Sequence, residues 1–337
     1  MTTEAKIQLT STEIGTLWMT YIFTTGRLMM NDSLALTTID KEAQNILTSN
    51  STDMLNIKNQ LINIFNNEHA VIPVGFNEQD LIKDAPPLFD DIFNIMMLRQ
   101  MKKLNLGHNA VFTAMSYKKE AQEILKLNYD ISYKYYVIAT NYLLAKGVLA
   151  KPPYITMPKQ VEFIENKSYM SGFNIFSEKR ALNTIEIGYM YEAVEDSIFL
   201  MQLMTGFAQV ASESEVKQYF IEGKDLMKKV INELSSILLK SDIQPPSTWA
   251  GKATDSTSSP FSDKLMMYII SIFSTTALGF TALGTSFSMR NDLPLTLGLI
   301  SKDTYEFARK GAKLMIKNKW MEEPPQMEDR NSIINSK

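Results

Sequence analysis

The chain repeats itself after about 172 residues, and this duplication limits the folds that are open to it. Matching stretches run through both halves: Leu9–Gly15 with Leu182–Gly188, Phe89–Asp91 with Phe261–Asp263, Gly107–Ala110 with Gly279–Ala282, and Lys151–Pro153 with Glu323–Pro325. In a chain of 337 residues, each copy is long enough to bury its own core. We therefore expect one fold used twice, with any chemistry that belongs to that fold present in both copies.

Each copy begins with the same signal for the start of a helix. Thr10 and Asn183 are N-cap residues, and Glu13 and Glu186 follow three positions later, which is the spacing of a capping box. Apolar residues then recur at helical spacing. The pattern predicts four helices per copy, at 11–31, 36–67, 87–118 and 120–147, and at 184–210, 213–240, 260–289 and 293–319.

These helices predict an all-α chain of two tandem four-helix bundles. The proline-marked loops at about 70–86 and 241–259 are long for a bundle and predict the crossover between the second and third helices. We place the bundles at 1–151 and 182–325, a connector at 152–181, and a disordered tail at 326–337. We expect the connector to pack on the bundles, because its aromatic side chains would otherwise be exposed: Tyr154, Phe163, Tyr169, Phe173 and Phe176.

Composition narrows the function classes. A net charge of −3 gives no basic surface for nucleic acid, and the absence of cysteine removes disulfides, thiolate metal sites and cysteine nucleophiles. The first residues lack the pattern of a secretory leader, so we expect a cytoplasmic protein. Leu265 to Met289 carries no charge and is long enough to span a membrane, but Arg99, Lys102 and Lys103 occupy the matching helix. We therefore predict a buried bundle helix and no membrane span.

Four stretches resemble a single protein family: Thr254–Met267, Ser288–Leu293, Gly311–Trp320 and Lys151–Ile155. Through them the sequence resembles, over essentially its whole length, the domain of unknown function 3231 family of spore-forming bacteria. The resemblance implies two ferritin-like bundles, distantly related to ferritin-like spore coat proteins, and it implies no established activity. Relatives often carry a histidine on the second helix of each copy, where this chain has Ile57 and Val230.

The metal ligands of a ferritin-like site are largely missing. Such a site takes a Glu from each of two helices and a Glu-x-x-His pair from each of the others. The two histidines, His69 and His108, follow Asn66 and Asn105 at that spacing and form no such pair. We expect His108 to be a hydrogen-bonded core or edge residue, and a metal or haem ligand is the weaker interpretation.

Carboxylates alone can still bind a hard cation. The best group is Glu192, Glu195 and Asp196, whose counterparts in the first copy are apolar. A solvated helix face is the favoured interpretation of this group, and a metal site is the alternative. We therefore predict no catalytic residue and no cofactor.

Our leading hypothesis is a non-catalytic structural or interaction protein with a ferritin-like fold. We expect it to act with a protein partner or a second copy, in sporulation or within spore layers, and the spore connection comes from the resemblance alone. Two alternatives stay open. One is a metal-dependent oxidase or metal store, which rests on the fold. The other is a protein that binds an apolar ligand in a cavity lined by some of its 21 methionines.

Overall fold

The structure, a computed structural model, describes residues 8–172, 179–246 and 252–335. These residues form an all-α fold with isolated bridges but no named strand, as the sequence predicts. The first bundle contains α1 (Ser11–Thr37), α2 (Lys41–Asn67), α3 (Asp91–Ala114) and α4 (Lys119–Ala145). The second bundle contains α5 (Thr184–Val210), α6 (Ser214–Leu239), α7 (Asp263–Phe287) and α8 (Asp292–Lys317), and a short α9 (Arg330–Asn335) follows. Single 3-10 turns lie at Glu78–Asp80 and Lys167–Met170.

Both predicted capping boxes are present. The backbone N–H of Glu13 donates to Thr10 Oγ1 at 3.3 Å, and the backbone N–H of Thr10 donates to Glu13 Oε2 at 2.8 Å. Asn183 and Glu186 make the same pair of bonds at 2.9 and 3.0 Å. These bonds satisfy backbone donors that the first turn of a helix leaves free, so α1 and α5 begin where the sequence predicts.

The predicted end of the first helix is wrong. We expect a break after residue 31, but α1 continues to Thr37 and α2 begins at Lys41. Asn31 is buried within α1, and its amide donates to Leu47 O at 2.8 Å and to Ser51 Oγ at 2.7 Å on α2. These partners on α2 satisfy a polar side chain in the interior of α1.

The two crossover loops pair with each other through a pseudo-two-fold axis. Isolated antiparallel bridges join Leu81 to Phe261 and Phe89 to Ala253. Each bridge is the image of the other, because adding 172 to one partner gives the opposite member of the other bridge. The flanking backbone bonds follow the same rule, with Ile82 N to Pro260 O at 3.0 Å and Thr254 N to Leu88 O at 2.9 Å. The copies therefore meet as the subunits of an isologous dimer do.

The apolar core continues across this pseudo-dimer. Phe93 of α3 stacks on Phe199 of α5 with ring centroids 5.3 Å apart. Phe89 and Phe261, the same position in the two copies, lie 6.2 and 6.1 Å from Phe207. One buried apolar cluster draws residues from both bundles, and a second lies at one end of the first bundle. The two copies therefore share one continuous core, and one end of the first bundle has a separate core of its own.

The middle of the connector does not pack on the bundles, contrary to our expectation. Tyr154 is 88% exposed and Phe163 is 85% exposed, while Tyr169 is partly buried beneath Arg180. Contact is made at the ends of the segment, where Lys151 O accepts from Tyr191 Oη at 2.8 Å and Met170 O accepts from Asn291 N at 3.0 Å. Pro152, Pro153 and Pro158 favour extended backbone between these anchors. Phe173 and Phe176 lie outside the described residues.

The C-terminal tail, which we predict to be disordered, contains the short helix α9. Asp329 accepts from the backbone N–H groups of Asn331 and Ser332 at 3.0 and 3.2 Å, and α9 follows this cap. All its described side chains are exposed. Residues 336–337 of the predicted tail lie outside the described residues.

Helix α7 lies between α5 and α8 and contributes buried residues from Leu265 to Phe273. Across the parts of the chain that the structure describes, it is the one helix whose length and apolar composition suffice to cross a membrane. In the most apolar part of this helix, 44% of the residues are buried inside the protein.

Candidate functional site

The second bundle contains a cavity of about 690 Å³. All four of its helices line the space, and α3 and α4 of the first bundle form one wall. Apolar and small side chains dominate the lining, including Leu106, Ala110, Ile185, Met190, Ala193, Leu200, Met227, Val230, Leu234, Ala277, Phe280, Leu297 and Ile300. A space of this size and character is typical of a small-molecule site. We refer to it as the second-bundle cavity.

The cavity lies where the two copies differ in sequence. At the matching positions of the first bundle, a buried quartet of polar side chains fills the interior: Asn105, Asn109, Asn128 and Ser132. Asn105 Nδ2 donates to Asn128 Oδ1 at 3.0 Å and to Ser132 Oγ at 2.6 Å. In the second bundle these positions hold Ala277, Thr281, Ile300 and Thr304, which all line the cavity.

The cavity is elongated along α5. Its lining extends from Thr184 to Leu200, about 24 Å at the rise of an α-helix. Gly107 and Gly188 lie on its wall, and a Cβ atom added at either glycine would meet no atom within 4 Å. The exposed side chain of Ile185 marks the solvent-facing part of the lining. The shape suits an extended molecule that enters between the two bundles.

One wall of the cavity carries an ion cluster between α3 and α5, formed by Arg99, Lys103, Glu192, Glu195 and Asp196. Lys103 Nζ donates to Asp196 Oδ1 at 2.7 Å and Oδ2 at 2.9 Å, and also to Glu192 Oε2. Arg99 Nη1 pairs with Glu195 Oε2 at 3.1 Å, and both side chains are buried. The cluster therefore fixes the second bundle to the first beside the cavity.

The electrostatics of the cluster follow from burial and pairing. Burial by itself raises the pKa of Glu192, but the positive charge of Lys103 outweighs it and holds that pKa below its ordinary value. Burial lowers the pKa of Lys103, and Asp196 and Glu192 reverse this effect and raise it above its ordinary value. For Glu195, burial prevails over Arg99 and the pKa is raised. Glu192 and Lys103 therefore face the cavity in their charged forms.

The sequence matches the family described as protein of unknown function (DUF3231) over residues 1–161 and 170–333. The two matched regions correspond to the two copies and together cover nearly the whole chain. The chain belongs to this family. No curated protein matches the sequence.

A solved structure from Bacillus halodurans C-125, described as a "putative spore coat protein", is similar to part of this DUF3231 chain. The two share 18% sequence identity, and the match covers 44% of this chain and 98% of the other, with a TM-score of 0.41.

In this DUF3231 protein the predicted acidic group is assembled as a cluster. One carboxylate oxygen from each of Glu192, Glu195 and Asp196 lies within 4.8 Å of the others, and no histidine joins them in the described part of the chain. The group is not the solvated face that we favoured, because Glu195 is buried and the cations of α3 hold all three residues. A metal ion would have to compete with Lys103 for Glu192 and Asp196.

Sequence reasoning missed Arg99 and Lys103 as members of the site. Both lie on one face of α3 at i, i+4 spacing, opposite acidic residues at i, i+3 and i+4 spacing on α5. This charge complementarity is the signal that could have found the cluster.

His108 lies apart from this cluster, at the junction of α1, α3 and α7. Its Nδ1 is 3.5 Å from Arg27 Nη2, and its Nε2 is 3.3 Å from Thr276 Oγ1. Burial and the neighbouring Arg27 charge lower the pKa of His108 to about 4. A neutral, hydrogen-bonded histidine agrees with the structural role that we favoured, and a cation beside the ring disfavours a bound metal.

The second-helix positions at which the resemblance implies a histidine are apolar and buried in both bundles. Ile57 is part of the apolar cluster at one end of the first bundle, and Val230 lines the second-bundle cavity. Neither side chain can ligate a metal. The interior of the second bundle is therefore suited to an apolar occupant.

Proposed function

We propose that this protein is a non-catalytic binding protein that holds an apolar small molecule in the second-bundle cavity. The cavity itself is the supporting observation, since a well-packed bundle of four helices leaves few voids larger than a water molecule. Its volume of about 690 Å³ falls within the range of small-molecule sites. The ionisable groups on its wall are engaged with each other, which favours binding over chemistry.

A pair of equivalent glycines provides the test. Gly188 lines the cavity and Gly15 occupies the same position in the first bundle, and a Cβ atom added at either position would meet no other atom within 4 Å. We expect Gly188→Trp to fill part of the cavity and to weaken binding of the neutral dye N-phenyl-1-naphthylamine at least about tenfold, since a blocked apolar pocket loses buried area. Fluorescence titration measures this affinity.

Gly15→Trp is the matched control, because it adds the same side chain at the same position of the first bundle, away from the second-bundle cavity. Its dye affinity should equal that of the unsubstituted protein. Equal weakening by both variants, or no saturable binding of the dye by the unsubstituted protein, would contradict the proposal. Native mass spectrometry of the purified protein adds a direct observation, because a co-purified molecule should be lost from Gly188→Trp alone.

The family resemblance supports a place for this binding protein in sporulation. On this proposal the protein is made in the cytoplasm and becomes associated with spore layers through a protein partner or a second copy. Fractionation of sporulating cells tests the location, and a protein that never co-purifies with spore layers would contradict it.

A metal-binding function is the second candidate. The convergence of three carboxylates within 4.8 Å is the observation that favours it. Stoichiometric iron or manganese in the native protein, lost on Glu192→Gln with Asp196→Asn, would support this candidate. Metal-free protein by elemental analysis would remove it.

A further inference from the structure

We propose that the ligand of the second-bundle cavity is an amphiphile with an ammonium head group, held by Glu192 and the aromatic rings beside it. This inference rests on the proposed function and adds the chemical class of the ligand. Three features of the cavity wall carry it: the charge balance, the committed donors of Lys103, and the aromatic side chains.

The charge balance at the wall is negative. Lys103, Glu192 and Asp196 line the cavity, and two carboxylates against one ammonium leave a single negative charge there. Arg99 and Glu195 lie behind them and pair with each other, with both side chains buried. A positively charged ligand neutralises this charge, whereas a ligand carboxylate adds a second uncompensated negative charge.

Lys103, the one cation among the described residues of the lining, is already engaged with two carboxylates. An ammonium group has three N–H donors, and Lys103 Nζ makes three contacts, all with oxygens of Glu192 and Asp196. A fatty-acid carboxylate would have to break this arrangement in order to bind Lys103. The cluster therefore discriminates against anionic head groups.

Glu192 has an acceptor to spare. Its Oε2 accepts from Lys103, whereas no donor in the described parts of the chain is within hydrogen-bonding distance of its Oε1. The side chain is 46% exposed, so an incoming group can reach it. An alkylammonium group can donate to this oxygen while Lys103 stays in place.

Aromatic side chains complete the site. Tyr129, Tyr136, Tyr189 and Phe280 line the same cavity. The Phe280 ring lies 5.7 Å from the Lys103 ammonium and the Tyr136 ring 5.3 Å from the Arg99 guanidinium, so among the described residues Tyr129 and Tyr189 are the rings open to an incoming cation. The face of an aromatic ring attracts cations, and aromatic rings are common surroundings of bound ammonium groups. The apolar remainder of the cavity then takes the hydrocarbon part of the ligand.

The experiment compares three amphiphiles of equal chain length: dodecylamine, dodecanol and dodecanoate. Each competes with the neutral dye for the protein at pH 7, below its micelle concentration. We expect dodecylamine to bind about tenfold more tightly than dodecanoate, with dodecanol between them, because a charge-assisted bond to a half-exposed carboxylate is of that size. This comparison needs no variant, so it does not depend on how a substitution folds.

Glu192→Gln then tests the residue. It should weaken dodecylamine binding about tenfold and leave dodecanol unchanged. Glu306→Gln is the matched control, since Glu306 is also paired with a lysine but lies exposed on α8, away from the cavity lining. The control changes the net charge equally and should have no effect.

The outcomes separate this inference from the proposed function. If dodecanoate binds as tightly as dodecylamine, or if Glu306→Gln acts like Glu192→Gln, the ammonium head group is wrong while apolar binding stands. If neither the dye nor dodecanol binds, the proposed function itself fails.

Discussion

The two bundles have the same helix order and the same capping boxes, yet the first interior holds a polar network where the second is mostly apolar. In the first bundle, Arg27 is buried and donates to Asn105 Oδ1, and Asn105 continues the network to α4. In the second bundle, Leu200 occupies the position of Arg27, and two threonines and two apolar residues replace the polar quartet. One copy is filled with a hydrogen-bonded network, and the other keeps a cavity. The duplicated unit therefore supports two different interiors on the same arrangement of helices.

Lys102 strengthens this contrast. It is buried in the first bundle with its ammonium 5.5 Å from the centre of the Tyr135 ring. Burial, together with the charge of Arg27, lowers the pKa of Lys102 to about 7. Its counterpart in the second bundle is the neutral Ser274. The first interior therefore buries two basic side chains, Arg27 and Lys102, at positions that are uncharged in the second bundle.

The largest expected effect breaks the network of the first bundle. Asn105→Ala removes the acceptor of a buried guanidinium and two further bonds, to Asn128 and Ser132. We expect it to lower the free energy of unfolding by about 3 kcal/mol, because a buried guanidinium loses its amide acceptor and two further buried hydrogen bonds are lost. Urea denaturation followed by circular dichroism measures the change.

The reciprocal substitution in the second bundle is the control. Ala277→Asn places the same amide at the matching position, but beside a cavity, and should change the free energy of unfolding by less than about 1 kcal/mol. An equally large loss from both substitutions would show that the interiors do not differ as described.

The next largest effect is a pH dependence of stability, and it involves the capping glutamates that both bundles share. Glu13 and Glu186 are both buried, and each accepts from two backbone N–H groups at the junction of the third and fourth helices: Tyr117 and Lys118 for the first, Met289 and Arg290 for the second. Burial by itself raises the pKa of Glu13, but bonds from Lys118 and Thr10 lower it to about 2. For Glu186, burial is likewise outweighed, by Arg180 and backbone donors, and the pKa is also about 2.

Because both folded-state pKa values lie below the ordinary value of 4.5, the stabilisation is complete above about pH 4.5 and is lost as the pH falls toward 2. We expect Glu13→Gln and Glu186→Gln each to cost about 2 kcal/mol at pH 7 and less at pH 3. Glu186→Gln should cost more, since it also removes the salt bridge to Arg180 at 2.7 Å. Thermal denaturation at both pH values measures this. A cost that is independent of pH would refute the assignment to ionised caps.

The smallest effect is a gain in stability. Gly15→Ala and Gly188→Ala each add a methyl group that meets no atom within 4 Å, in helices where glycine is unfavourable. Each should raise the free energy of unfolding by about 0.5–1 kcal/mol, which chemical denaturation measures. A loss at Gly188 alone would indicate that the cavity wall is tighter than its geometry shows.

Local patterns predicted most of the helices. The capping boxes placed the starts of α1 and α5, and helical periodicity gave all eight bundle helices with modest errors at their ends. The predictions failed where the surroundings of a residue depend on distant parts of the chain. Asn31 continues α1 because α2 supplies its acceptors, and Tyr154 stays exposed because the connector contacts the bundles at its ends.

The candidate site was predicted only in fragments. The sequence pointed to Glu192, Glu195 and Asp196 as a group, but it assigned them to a solvated face or a metal. Their partners, Arg99 and Lys103, lie about 90 residues earlier in the chain, and no local pattern connects α3 to α5. Whether a carboxylate is solvated or paired depends on that packing.

By itself the sequence determined the duplication, the helix starts and the apolar faces, because capping and periodicity act between residues a few positions apart. The tertiary structure decided the pairing of the crossover loops, the ion cluster and the cavity. A cavity is a difference in volume summed over four helices and a neighbouring bundle. It can be measured only when those helices are in place, since each small residue on its lining is ordinary in a helix considered alone.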